Sequence, residues 1–205
     1  TPVRYTLDGS EPTEESPLYT EPVEIRESCT VKARSDRNGL SGRTFVKSFA
    51  AHKAMGRPVT TLAPTHPNYT FNCPDLLSDG VVSEGPYNSG ELAGWYNRPF
   101  EAVIDMGEES YSEVTLSTFV FKYDYIFGPT YLSVLTSEDG NEYTEIARQD
   151  YPVDSNYDDG NGCRDFPETS AKYLKVQAGC LETLPEWHGG KGRPGFVFVG
   201  EIIVK

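Results

Sequence analysis

The apolar residues of this 205-residue chain recur in short runs of strand length, and no stretch sustains the 3.6-residue period of an amphipathic helix. Between the runs lie clusters of Gly, Pro, Asn and Asp, the residues that accommodate the backbone of tight turns. Thirteen Tyr, ten Phe and nineteen Gly against two Met push the same way, since aromatic rings suit a pleated surface and Gly punctuates it. An all-β chain is expected. In the first fifty residues the strand-like runs fall at 3–7, 18–25, 30–33 and 44–49. Asp8-Gly9 stands between the first two and reads as a hairpin, because a type I′ turn needs positive φ at both central positions. This predicts a small antiparallel β-sandwich module over 1–50. It opens on a run with no strand upstream, so a module truncated at its N-terminal side, within a longer chain, is expected.

From residue 50 to Cys73 the sequence carries His52, Lys53, Pro58, Pro64 and Pro67 and reads as a linker or as the entry to a second domain, with the boundary near Ala51 and that domain over 51–205. Later runs at 102–106, 114–121, 131–137, 143–148, 173–178 and 196–204 are separated by turn signals, including a second hairpin dipeptide, Asp139-Gly140. About eight strands in this span predict a β-sandwich or jelly roll.

The formal charge of −13 sets a repulsive field against polyanions, which argues against nucleic acid and anionic lipid as partners and leaves neutral ligands and cations. No apolar run approaches the ~20 residues of a membrane helix, so no membrane insertion is expected, and a monomer is. Four cysteines, Cys29, Cys73, Cys163 and Cys180, form no CxxC pair, which argues against structural zinc. In an exported protein Cys163 and Cys180 are the pair best placed for a disulfide; buried free thiols are the equal alternative.

A catalytic constellation is hard to find. Glycosidic chemistry requires paired carboxylates with one pKa raised by an apolar site, but the adjacent pairs Glu108-Glu109 and Asp158-Asp159 sit in polar, turn-like sequence where both stay ionised. The histidines are His52, His66 and His188, and no GxSxG elbow or Cys-centred motif accompanies them. His52 and His66 fall in the linker and are expected to be solvated. Trp187 and His188 stand apart: they lie in LPEWHGGKGRPG, a loop before the last strand and a poor place to bury a Trp for packing alone. A sugar offers an apolar patch of C–H bonds and a rim of hydroxyls, so a ring for stacking beside hydrogen-bonding side chains suits it. Trp187 and His188 are the first candidates for a sugar site, against the alternative that they staple the loop.

Two resemblances refine this reading. The strings RYTLDGSEPTEESPLYTEPVEI and TVKARSDRNGLSG resemble the small β module at the C-terminal side of chitobiase and β-hexosaminidase catalytic domains, without its first strand. LLSDG at 76–80, Trp95, AVIDMG at 102–107, GPTYLSVLTSEDGNEY at 128–143, KYLKVQA at 172–178 and FVFVGEIIVK at 196–205 resemble, in family order, a discoidin-like domain, the coagulation factor 5/8 type C fold that includes carbohydrate-binding module family 32. This resemblance implies an eight-stranded jelly-roll sandwich with Trp95 in its core. It places the loop after the 114–121 run at the same end as Trp187, which adds Tyr123 and Tyr125 to the sugar candidates, with Arg164 of NGCRDF as a further one. It also implies structural calcium. Asp79 would be a side-chain ligand on a turn, Leu76, Val81 and Gly200 would lend carbonyls, and Glu201 would close the set; Asp-Gly on a bent loop is chemistry that calcium favours. The tandem order resembles the C-terminal end of bacterial family 20 glycoside hydrolases. The expected function is a non-catalytic carbohydrate-binding appendage of an exported, periplasmic or cell-surface β-N-acetylhexosaminidase. Its partners would be galactose- or N-acetylhexosamine-containing glycans and the catalytic domain of the same polypeptide. The alternative is a structural spacer or protein-adhesion module.

Overall fold

The computed structural model describes residues 2–37, 40–153 and 162–205, without the side chains of residues 37 and 162–165. Among the described residues there is no α-helix, only strands joined by turns and three short 3-10 segments. The chain divides into two compact units, Thr1–Ala51 and His52–Lys205.

The first unit holds β1 (Val3–Thr6), β2 (Cys29–Arg37), β3 (Leu40–Ser41) and β4 (Phe45–Phe49). The long β2 is central: antiparallel β1 pairs with it from Val3 opposite Ser35 to Thr6 opposite Lys32, and β4 from Cys29 opposite Phe49 to Ala33 opposite Phe45. Two expectations fail here. The run at 18–25 is not a strand, because Pro17 and Pro22 lack the N–H that a ladder requires. It meets β1 only briefly, through Tyr5 N–H to Pro17 O at 3.1 Å and Tyr19 N–H to Val3 O at 2.8 Å. Asp8-Gly9 does not join adjacent strands either. Gly9 alone of the two has positive φ (75°), so a type I′ turn is not formed. Asp8 Oδ1 instead accepts from Ser10 N–H at 3.0 Å and Ser10 Oγ–H at 2.6 Å, an Asx turn that leads Gly9 onto Thr30.

The second unit contains β5 (Val59–Thr61), β6 (Val81–Val82), β7 (Ala93–Tyr96), β8 (Phe100–Asp105), β9 (Tyr111–Phe119), β10 (Tyr131–Ser137), β11 (Thr144–Asp150), β12 (Gly162–Thr169), β13 (Tyr173–Ala178) and β14 (Phe196–Val204). Two antiparallel sheets result, ordered β11-β10-β13-β8-β5 and β12-β9-β14-β7. The second unit is therefore an all-β sandwich, with nine strands in these sheets among the described residues rather than the expected eight. β8 and β13 alternate buried and part-exposed residues along their length, so one face of their sheet turns inward. Ile104, Leu132, Leu174 and Val176 of one sheet join Val114, Leu116, Val197 and Ile202 of the other in a single buried cluster. Each such side chain contributes roughly 1.5–3 kcal/mol relative to remaining exposed. Trp95 is fully buried there, its ring edge-on to Phe100 at 4.8 Å, and its indole N–H donates to Ala63 O at 3.0 Å.

The stretch from residue 52 to Cys73 is the entry to this second unit, the second of its two readings, rather than a linker. β5 pairs with β8, Ala54 and Val59 are buried, and His66 N–H donates to Gly94 O at 2.7 Å. Its prolines flank a short edge strand, where a missing N–H breaks no ladder. Asp139-Gly140 does mark a hairpin, between β10 and β11, although Asp139 Oδ1 caps a longer loop by accepting from Asn141 N–H at 2.8 Å and Glu142 N–H at 3.2 Å.

Strand β14 is irregular at its middle. Its register with β9 slips between Val199 (opposite Thr118) and Ile202 (opposite Leu116), a bulge formed by Gly200 and Glu201. Gly200 suits the bulge because a Cβ there would lie a tight 3.0 Å from Glu91 O and 3.2 Å from Leu92 Cδ2. The bulge breaks the alternation and leaves Glu201 wholly buried.

Candidate functional site

After β9 the chain forms a 3-10 turn, Lys122–Asp124, closed by Tyr125 in the left-handed region (φ 69°) with its N–H on Lys122 O at 3.1 Å. Phe121 and Ile126 exchange backbone bonds at 3.0 and 3.2 Å, which pinches the loop into a compact tip. The loop before β14 folds back on itself, with Leu184 N–H to Arg193 O at 2.7 Å and Gly195 N–H to Leu181 O at 2.8 Å. Phe196 N–H then donates to Tyr125 O at 2.8 Å, joining the two loops.

Tyr123, Tyr125, Trp187 and His188 line one cleft of about 580 Å³, together with Lys122 and Asp124. The tips differ in character from the floor. Tyr123 is 83% exposed and Trp187 57% exposed, while His188 is buried. His188 is not placed to bond a ligand hydroxyl, contrary to expectation, because both ring nitrogens are committed internally. Nδ1 accepts from Gly190 N–H at 2.9 Å, which puts the proton on Nε2, and Nε2–H donates to Lys122 O at 2.6 Å. It ties the loops together. Tyr125 also packs inward: it covers the Phe127, Leu181 and Leu184 cluster and lies so close to Gly190 that a Cβ there would run into its ring. The Arg164 side chain lies outside the described residues, as do that of Cys163 and the Asp158-Asp159 pair. Sequence reasoning missed Asp124, whose Oδ2 accepts from Tyr87 O–H at 2.9 Å on the cleft margin. Its signal was the KYDY string, which sets two charged side chains among rings.

The second feature is the turn at 76–82. Leu76 and Leu77 are buried in the 3-10 segment Asp75–Leu77, Ser78 Oγ–H donates to Arg57 O at 2.7 Å, and Asp79 Oδ1 accepts from Val81 N–H at 2.8 Å across Gly80 (φ 80°). Glu201 from the β14 bulge comes up beside Asp79. Burial pushes its carboxyl up to about 9, with the Asp79 charge adding to the effect and the Gly80 backbone partly opposing it. Its Oε1 receives His52 Nε2–H at 2.7 Å, the tautomer being set by Ala54 N–H donating to Nδ1 at 3.2 Å. Its Oε2 is buried without a well-aligned hydrogen bond, although the Gly80 and Asp79 backbone and the Asp79 carboxyl lie against the group. A buried oxygen of this kind next to a second carboxylate fits a cation. No cluster of three or more His, Cys, Asp or Glu side chains forms a metal site among the described residues, so backbone carbonyls would have to supply the remaining ligands, which suits calcium and not zinc.

The remaining histidines depart from expectation. The His52 side chain is buried rather than solvated, and burial holds its pKa down to about 4. His66 caps the turn Pro67–Tyr69 and packs among Tyr69, Tyr96 and Phe196 at ring separations of 5.4, 6.2 and 5.3 Å. Cys180 is a buried free thiol, its S–H directed to Gly195 O at 3.1 Å, which is the free-thiol reading of the two left open by the sequence. Glu108 and Glu109 are exposed to solvent.

The described helical segments include none long and apolar enough to cross a membrane. Among solved structures, the chain is similar to chitosan-binding module 1 of a chitosanase/glucanase from Paenibacillus sp. IK-5 at 14% identity and a TM-score of 0.48, covering 75% of this chain and 98% of that one. A fucose-binding module of Streptococcus pneumoniae gives 20% identity and 0.48 over 75% and 93%. CpGH89CBM32-5 from Clostridium perfringens, in complex with GalNAc-β-1,3-galactose, gives 17% identity and 0.48 over 72% and 93%. No curated protein matches the chain. Residues 1–49 match the family described as Fn3 associated.

Proposed function

We propose that this chain is a non-catalytic sugar-binding module that uses the loop cleft of its second unit. The observation that carries the reading is the pair of exposed rings, Tyr123 and Trp187, on a cleft that also holds the Asp124 carboxylate and the Lys122 amine. A pyranose presents C–H bonds to such rings and hydroxyls to such charged groups, and a cleft of this size suits one or two sugar residues. His188 serves the site indirectly by fixing the loops before a ligand arrives, which lowers the entropic cost of binding. The ligands proposed are galactose- or N-acetylhexosamine-type sugars, bound with a dissociation constant on the order of 0.1–1 mM.

We further propose that calcium occupies the turn at 76–82, held by Asp79 and Glu201 with carbonyls of Leu76, Val81 and Gly200. Bound there it would neutralise two facing carboxylates and tie the last strand to the turn. The parent protein proposed is an exported bacterial β-N-acetylhexosaminidase, whose catalytic domain the module would hold near its glycan and so raise local substrate concentration. The strings over residues 4–42 support that parentage.

A glycan array followed by calorimetric titration of the hits tests the sugar reading. Saturable binding to neutral sugars is expected. Absence of binding to every glycan on the array would overturn it in favour of a spacer or adhesion module.

A further inference from the structure

A second cleft, of about 780 Å³, opens on the second unit where the segments after β7, before β10 and after β13 converge. Its backbone is tightly fixed. Thr130 N–H donates to Gly179 O and Gly179 N–H to Tyr131 O, both at 2.9 Å, while Asn97 N–H reaches Gly195 O at 3.2 Å. Gly195 is also held by its own N–H on Leu181 O and by the Cys180 thiol on its carbonyl. A Cβ at Gly179 would run into Thr130 Oγ1 and the Tyr131 ring, so the bare backbone of a glycine leaves this floor open.

Around this rigid floor stand Asn97, Arg98, Thr130, Glu182 and Thr183. Among the described residues, none of these five side chains is engaged in a hydrogen bond or ion pair. Asn97 sits in the left-handed region at φ 54° and is held there by its bond to Gly195. The lining thus offers an amide, a guanidinium, a carboxylate and two hydroxyls over an apolar surface of Pro99 and Leu181. Arg98 and Glu182 cancel in charge. A neutral ligand with many hydroxyls fits this set, whereas an anion would face Glu182 and a cation Arg98.

We propose that this cleft is a second sugar-binding site for a neutral hexose or N-acetylhexosamine residue, separate from the Trp187 cleft and divided from it by the loop of residues 181–195. The proposal extends the sugar-binding reading but does not depend on the Trp187 cleft being occupied. Leu181 borders the second cleft and also packs with Leu184 and Phe127 beneath the first, so one loop core supports both. Two weak sites on one module would let a branched or repeating glycan gain avidity without a new contact.

The test is a titration of the ¹⁵N-labelled full chain with methyl β-galactoside and with N-acetylglucosamine, read by amide chemical shifts. Saturable shifts at Arg98, Thr130, Gly179 and Thr183 are expected, and Arg98→Ala should weaken them about tenfold or more, as for the loss of hydrogen bonds from a charged group. Shifts at Tyr123 and Gly189 should persist in that variant. Shifts confined to the Trp187 cleft would overturn this proposal and leave the first reading standing. Shifts confined to the second cleft, unchanged by Trp187→Ala, would support it and remove the first. No saturable shift at the second cleft with either sugar would overturn it.

Discussion

His52 Nε2–H donates to Glu201 Oε1 across 2.7 Å, with neither side chain touching solvent. The bond divides the labour of a buried carboxyl: one oxygen is satisfied by the imidazole, and the other is left facing Asp79 and the turn at 76–82. With its pKa pushed up to about 9 the Glu201 carboxyl holds its proton at neutral pH when no cation is present; a cation bound in the folded state would displace that proton and stabilise the facing carboxylates.

Calcium is therefore expected to raise the melting temperature and EDTA to lower it. At a free calcium concentration a hundred times the dissociation constant the gain is about 2.7 kcal/mol. Glu201→Gln keeps an acceptor for His52 but cannot ionise to meet a cation, so it should melt normally in EDTA and lose most of the calcium response; Asp79→Ala should lose it too. Differential scanning calorimetry with and without 1 mM calcium decides the matter, and superimposable wild-type curves would sink the cation.

Trp187 and Tyr123 are exposed tips, so their removal should affect affinity far more than stability. Trp187→Ala is expected to weaken sugar binding by about 2 kcal/mol, roughly thirtyfold, as aromatic hot spots do. Tyr123→Ala should cost less. Melting should move little in either variant, because surface substitutions usually stay within about 0.5 kcal/mol. Calorimetric titration beside thermal melting separates the two effects, and a large drop in melting temperature for Trp187→Ala would show that its ring instead holds the loop.

His188→Ala should behave in the opposite way. It removes the acceptor of Gly190 N–H and the donor to Lys122 O at once, each worth on the order of 1 kcal/mol. Both loops should loosen, with faster hydrogen exchange at Gly190 and around residues 122–126, and affinity should fall only through that loosening. Native-state hydrogen exchange reads this directly; unchanged protection at Gly190 would remove the staple.

The strands easiest to read in the sequence were apolar runs set between turn residues: β10, β13 and β14 occupy the expected spans at 131–137, 173–178 and 196–204. β7 was not legible, because AGWY is four residues long and shows no alternation, and β5 was hidden among prolines. The run at 18–25 had the composition of a strand but not the donors. For the cleft, the sequence pointed to the four residues Tyr123, Tyr125, Trp187 and His188 that the loops place together, yet it could not say which way they face. That His188 spends both nitrogens on backbone, or that His52 travels to Glu201 across 149 positions, follows from tertiary packing alone.

The alkaline limit of stability should be set in part by Tyr111. It begins β9 fully buried, and its hydroxyl donates to Ala171 O at 3.0 Å. Burial pushes its pKa from the ordinary 10 up to about 12, with Glu138 adding to the shift. A folded pKa raised above the unfolded one means that the unfolded chain gives up its proton first. The contribution is complete below about pH 10, declines as pH rises towards 12, and by then amounts to a loss on the order of 2–3 kcal/mol at 1.36 kcal/mol per unit. Tyr111→Phe removes the titrating group and leaves Ala171 O without its donor, so it should be less stable at neutral pH by about 1 kcal/mol. Its stability should then fall less steeply from pH 10 to 12, and the two curves should converge or cross. Urea unfolding followed by tryptophan fluorescence at each pH measures both, and parallel curves for the two proteins across that range would show that Tyr111 ionisation does not govern the alkaline edge.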